Sequence, residues 1–246
     1  MLRNVLFPKF QKRQEWSHFR GHDVKRIETF SDAVFAFAVT LLIVSLEVPK
    51  SFEELIITMR GFFAFGICFT FLMLIWYQQH VFFRRYGMED TATVVLNAAL
   101  MFIVLFYVYP LKFLFTIIFS DNIYGPGKSP FSITSAQGPS LMVIYGLGYV
   151  TIYFIFLLLY LHAHRNRVRL QLTTLELFDT RTTIFSQIIL ISIGGLSILT
   201  ALLLPPEKTG LAGLVYGLIG IAFSLYYGIR RKMRRKIYHE PATVKQ

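Results

Sequence analysis

Charge is what this sequence has least of. Asp, Glu, Lys and Arg together make up 16% of its 246 residues, and only 14 residues are acidic. Soluble domains carry about 25% charged residues, so a water-soluble globular enzyme is excluded at the level of composition. A lone cysteine, Cys68, excludes an intrachain disulfide framework. Also missing are a Gly-rich phosphate loop, an HExxH helix, Cys/His ligand spacing and a serine nucleophile elbow, so the usual signatures of enzymatic chemistry are absent. His162 and His164 lie two apart, on different faces of a helix, and make no metal pair. A hydrophobic content of 54% and an aromatic content of 16% exclude a chain dominated by disorder.

What is present instead is a series of long uncharged runs, at 61–83, 91–111, 129–164, 182–206 and 209–229. Each exceeds the roughly 18 residues that a membrane-spanning helix needs. An earlier segment, 33–46, is shorter, with Asp32 and Glu47 at its flanks. Extended to 30–48 it offers 19 residues, about 28 Å of helix at 1.5 Å per residue, enough to span if the two carboxylates lie at its ends. The mostly polar residues before it do not form the short basic stub of a signal peptide.

The expected fold is therefore an all-α membrane protein with six transmembrane helices, at about 30–48, 61–80, 91–119, 140–162, 183–204 and 211–229. Basic segments, 1–29 and 230–246, flank this membrane domain of 30–229. With the N-terminus in the cytoplasm, 20 of the 25 Lys and Arg fall on the cytoplasmic side and five (Lys50, Arg60, Lys112, Lys128, Lys208) outside or near outer helix ends. The positive-inside rule thus places both termini in the cytoplasm. The split largely accounts for the net charge of +11, and the RRKMRRK run at 230–236 reads as a topology anchor with no nucleic-acid partner. Lys112 is expected to snorkel toward the outer surface. The small-residue row of Gly213 and Gly217, with Gly210 and Gly220 nearby, is expected to serve helix packing.

No acidic residue falls in the middle of any span, which disfavours a proton pump or coupled transporter. On the first helix, at 100° per residue, Phe30, Ala33, Phe37, Thr40, Leu41, Val44 and Val48 share one face, and Thr40 is its only polar side chain. That pattern fits a lipid-facing or core stripe in which Thr40 bonds back to a preceding carbonyl. The opposite reading is a pore stripe whose bulky apolar rings gate by dewetting, although the pattern alone favours the first.

Arg26 to Asp32, RIETFSD, resembles the R-x-x-x-F-S-D signature of the transmembrane protein 175 family of potassium channels, and AVFAFAVTLLIVSLEVP to Pro49 is similar to the first helix of its prokaryotic members. Trp76, His80, Asn97 and Pro110 fall where that family carries similar residues, so the specific resemblance covers roughly the first 110 residues. The chain departs from the family pattern at Phe37, where Ile or Leu is usual, and at Gln79, where paired His residues are usual.

The resemblance implies a single-repeat, non-canonical homotetrameric cation channel in the plasma membrane of a prokaryote. Its partners are copies of itself and the lipid bilayer, and it uses no cofactor and no metal beyond permeating K⁺. It implies that Phe37, Thr40, Leu41 and Val44 form the constriction and selectivity site. It also implies that Arg26, Phe30, Ser31, Asp32, Trp76, His80 and Asn97 form a structural or gating network at the cytoplasmic helix ends. The expected function is passive, potassium-preferring conduction; the alternative is a secondary transporter or proton-permeable carrier using the same bundle.

Overall fold

The computed structural model describes residues 19–21, 23–44, 49–125 and 134–239, and the side chains of residues 44, 135 and 235–239 are outside that description. The described chain is all-helical. Its α-helices are α1 (Arg26–Val44), α2 (Phe52–Tyr86), α3 (Thr91–Ile118), the short α4 (Ser120–Tyr124), α5 (Gly138–Arg165), α6 (Thr174–Leu203), α7 (Gly210–Leu214) and α8 (Leu218–His239), with 3-10 turns at Ser135–Gln137, Pro206–Lys208 and Val215–Gly217.

Among the described residues, 5 helical segments are long and apolar enough to cross a membrane: Phe52–Tyr86, Thr91–Ile118, Gly138–Arg165, Thr174–Leu203 and Pro206–Arg234. They coincide with the five uncharged runs. The α1 helix forms but is not among the five. Arg26, Glu28 and Asp32 occupy its first turns, and the end of the expected first span, 45–48, lies outside the described residues.

Helix ends depart further from expectation, because caps rather than hydropathy set them. The α2 helix begins at Phe52, well before residue 61, since Ser51 Oγ accepts the Glu54 N–H at 3.2 Å and Glu54 Oε2 accepts the Lys50 N–H at 2.6 Å. These bonds satisfy donors at the helix start, where Glu53 and Glu54 also suit the dipole. It ends where Gly87 turns left-handed (φ 56) and donates to the Phe83 carbonyl, with Arg84 and Arg85 in the last turn. A capping box between Thr173 and Glu176 opens α6 at Thr174, before the expected 183. The last span continues as α8 to His239, into the expected tail.

The core sits between α1, α2, α3 and α5, with Ile184 of α6 joining it, around buried Phe82, Phe83, Leu100, Phe156, Leu159 and Tyr160. Phe82 meets the Tyr160 ring edge-on at 5.3 Å between centroids, a favoured aromatic geometry. Close approach of α3 and α5 depends on Gly148, since a Cβ there would overlap the Tyr107 ring. The row of Gly210, Gly213, Gly217 and Gly220 is different: a Cβ at any of them would meet nothing within 4 Å. The packing role expected of that row is not realised among the described residues. The α1 helix lies against α2 and α3, and this contact positions the candidate site.

Candidate functional site

Two opposite faces of α1 define the site. Ser31, Phe35, Ala38 and Leu42, spaced by four, three and four residues, are buried, the spacing that places residues on one helix face. Phe30, Ala33, Ala36, Phe37, Thr40 and Ile43 are exposed on the other side, Phe30 at 62% and Phe37 at 56%. Leu41 is half-buried between the faces, and the Val44 side chain lies outside the described residues. Thr40 Oγ1 donates to the Ala36 carbonyl at 3.0 Å. That is the backbone bond of a helical threonine, and it leaves the oxygen's lone pairs facing away from the helix for another partner.

The buried face is locked to α2 and α3 by a chain of neutral hydrogen bonds. Gln79 Nε2 donates to Asn97 Oδ1 at 2.7 Å, Asn97 Nδ2 to Ser31 Oγ at 2.8 Å, and Ser31 Oγ to the Ile27 carbonyl at 2.7 Å. All three side chains are buried, so each bond answers a polar group that would otherwise lack a partner away from water. Nearby, Trp76 Nε1 donates to Asp32 Oδ1 at 2.7 Å, and the Trp76 and His80 rings stack with centroids 5.5 Å apart.

The expected network residues therefore divide. Ser31 and Asn97 meet directly, Asp32 meets Trp76, and His80 joins through the stack. Arg26 is exposed, and among the described residues no hydrogen bond or ion pair joins it or His80 to Asp32. Phe30 is on the exposed face of α1, away from the buried bonds. Gln79, read from sequence only as a departure from the family pattern, is the donor that begins the chain of bonds, with Asn97 at its centre. A polar amide inside an uncharged run was the signal available for it.

Lys112, expected to snorkel, donates from Nζ to the Leu42 carbonyl of α1 at 3.3 Å. At the loop between α2 and α3, Asp90 accepts from Thr93 Oγ1 at 2.7 Å and meets His162 Nε2 at 2.6 Å. Burial pushes the Asp90 carboxyl up, but the hydrogen bonds from Thr93 and His162 outweigh it and hold the group below the ordinary value. At the same end of the bundle, Arg234 forks onto Asp179 (3.0 Å) and Arg230 reaches Thr182 Oγ1 (2.7 Å), fixing α8 to α6.

This arrangement has known relatives. The family model for the endosomal/lysosomal potassium channel TMEM175 matches residues 26–107, from the first residue of α1 into α3, and so includes the whole Ser31–Asn97–Gln79 chain. A potassium channel of Marivirga tractuosa is 38% identical over 233 residues, covering 90% of this chain and 94% of the relative. The potassium channel Cha6605_3372 of Chamaesiphon minutus is 31% identical over 93 residues, 35% of this chain and 46% of the relative. Among solved structures, a variant of the potassium channel MtTMEM175 in complex with a Nanobody-MBP fusion protein superposes with a TM-score of 0.77 at 37% identity, covering 87% of this chain and 97% of that one. A lysosomal potassium-selective channel TMEM175 homolog from Chamaesiphon minutus shares the fold, with a TM-score of 0.54 at 22% identity over 81% of this chain and 95% of that one. Similarity to the Marivirga channel along nearly its full length, together with the family match over α1 to α3, makes this chain a member of the TMEM175 family of potassium channels, which are not enzymes.

Proposed function

We propose that four copies of this chain form a passive, potassium-preferring cation channel in the plasma membrane of a prokaryotic cell, with α1 of each copy around the pore. In this reading α1 is the first of six spans and both termini are cytoplasmic. The observation that carries it is the sidedness of α1. Phe30, Ala33, Phe37 and Thr40 stand free of their own subunit, while Ser31, Phe35, Ala38 and Leu42 are anchored in it. A helix held so firmly on one side and bare on the other is suited to line an axis shared with three copies of itself.

Phe37, Leu41 and Val44 then form an apolar constriction that offers an ion no replacement ligands, so the ion keeps its water or is raised in free energy by shedding it. K⁺ holds water less tightly than Na⁺ and crosses at lower cost. Four Thr40 hydroxyls, each already donating its proton to the Ala36 carbonyl, present acceptor oxygens at that level. Ser31, Asp32, Trp76, His80 and Asn97 set the position of the N-terminal half of α1, while Arg26 and Phe30, exposed in one subunit, are available to a neighbouring copy. Conduction down a gradient needs no cofactor; K⁺ is the cargo.

Proteoliposomes test the reading. Vesicles loaded with K⁺ and containing the purified protein release the ion down its gradient with no second ion supplied. Release that requires an opposing gradient of another ion contradicts it.

A further inference from the structure

The segment leading into α1 is gripped by three acceptors on one distant stretch of chain. Arg20 Nε donates to the Leu170 carbonyl at 2.7 Å, and its Nη2 donates to the Gln171 carbonyl at 3.1 Å and to Glu176 Oε2 at 3.0 Å. Glu176 is 0% exposed, and its Oε2 also accepts the Thr173 N–H at 3.0 Å in the cap that starts α6. The acceptor Gln171 sits in the left-handed region at φ 48, which few residues other than glycine adopt.

Next to this grip the segment crosses the end of α2 backbone to backbone. The Gly21 N–H donates to the Arg84 carbonyl at 3.2 Å. A Cβ on Gly21 would lie 2.8 Å from the Phe83 carbonyl oxygen, and one on Gly87 would lie 2.9 Å from the Arg20 carbonyl oxygen. The Arg84 guanidinium lies over the Phe19 ring at 4.8 Å. Lys25 closes the crossing, donating to the Gly87 carbonyl at 2.9 Å and pairing with Glu89 at 3.1 Å. Residues 21–25 alone separate Arg20 from the first residue of α1.

We propose that Arg20 is a positioning residue for conduction: its clasp on Glu176 and the Leu170–Gln171 carbonyls ties the N-terminal end of α1 to α6 and restrains the spreading of α1 that opens the pore. The planar guanidinium reaches its three acceptors from two separate nitrogens, a fork that the single nitrogen of an ammonium does not reproduce. A buried carboxylate left without its cation is costly, so α1 moves either together with the start of α6 or by breaking the clasp. The inference rests on α1 being the pore helix.

The test uses the full chain reconstituted in planar bilayers, with oligomer assembly checked for each variant, and pairs single-channel recording with amide exchange. Arg20→Gln raises open probability by about tenfold, the scale of losing hydrogen bonds to a charged group. Unitary conductance and the K⁺/Na⁺ reversal potential stay at wild-type values, and exchange at 26–31 quickens. Glu176→Gln acts in the same direction, and the double variant adds little to Arg20→Gln, because both remove one link. Arg20→Lys keeps the charge but not the three-way reach. It gives a smaller rise, and it decides the matter if the Gln variant does not assemble.

Unchanged or lowered open probability in an assembled variant overturns the proposal, as does unchanged exchange at 26–31. Phe37→Ser is recorded alongside. If it alters neither unitary current nor reversal potential, the pore assignment fails, and that failure is distinct because the exchange measurement reads the clasp without reference to the pore.

Discussion

Asn97 donates to Ser31 Oγ at 2.8 Å and so joins α3 to the buried face of α1. Because Asn97 also accepts from Gln79 at 2.7 Å, one amide on α3 holds α1 and α2 in a single register. The bare face of α1 is presented at a fixed angle only because the opposite face is bonded in this way.

Asn97→Ala leaves the Gln79 amide without its buried acceptor and Ser31 without its donor. An unsatisfied buried group costs about 1–3 kcal/mol, so the thermal midpoint of the detergent-purified protein falls. A midpoint equal to wild type would mean that water replaces the amide.

Gly148→Ala places a methyl group in the Tyr107 ring, which is tethered by its hydroxyl to the Tyr145 carbonyl at 2.7 Å. Overpacking of this kind costs about 1–3 kcal/mol. Gly213→Ala, where a Cβ meets nothing within the subunit, leaves the midpoint of the separated subunit unchanged. Thermal unfolding of the two variants side by side checks both outcomes.

Acid acts on the Asp90–His162 pair. The native carboxyl titrates below its ordinary value of 3.8, so the stability it contributes is complete above that value and is lost as pH falls through the lower native one. Between neutral pH and about pH 3 the wild-type midpoint therefore drops further than that of Asp90→Asn, which has no carboxyl to titrate. Parallel melts across that range measure the difference. Equal slopes would show that the pair adds no pH-dependent stability.

Thr40→Val keeps the side-chain shape and removes the oxygen. Thr40 is exposed and its bond to the Ala36 carbonyl is local, so stability hardly changes. The K⁺ preference falls, seen as a bi-ionic reversal potential closer to zero. An unchanged reversal potential assigns the hydroxyl to its own helix alone.

The five long apolar helices were legible in the sequence because a bilayer demands uninterrupted apolar length, and residues 61–83, 91–111, 129–164, 182–206 and 209–229 supply it. Their ends were not, since Ser51, Gly87 and Thr173 act through single hydrogen bonds and a left-handed turn that hydropathy does not register. Helical periodicity grouped Phe30, Ala33, Phe37 and Thr40 on one side of α1, and all four are exposed; Leu41, at the margin of that arc, is half-buried. Gln79 was noticed only as a departure from the family pattern, because an uncharged amide within an uncharged run does not announce its bond to Asn97. The Arg20 clasp carries no sequence pattern: two of its acceptors are backbone carbonyls of residues 170 and 171, and nothing in local spacing points across so long an interval.

The central claim is that the bare face of α1 lines the pore with Phe37 at the constriction, and bi-ionic single-channel recording of Phe37→Ser beside wild type tests it most directly. Phe37 is 56% exposed in the subunit, so its truncation spares the core and the oligomer assembles. The serine lowers both the steric and the dewetting barrier. The account predicts a larger unitary current and a smaller K⁺ preference, as more water accompanies each ion. An intact oligomer with wild-type current and reversal potential would contradict it and remove Phe37, Leu41 and Val44 from the pore axis together.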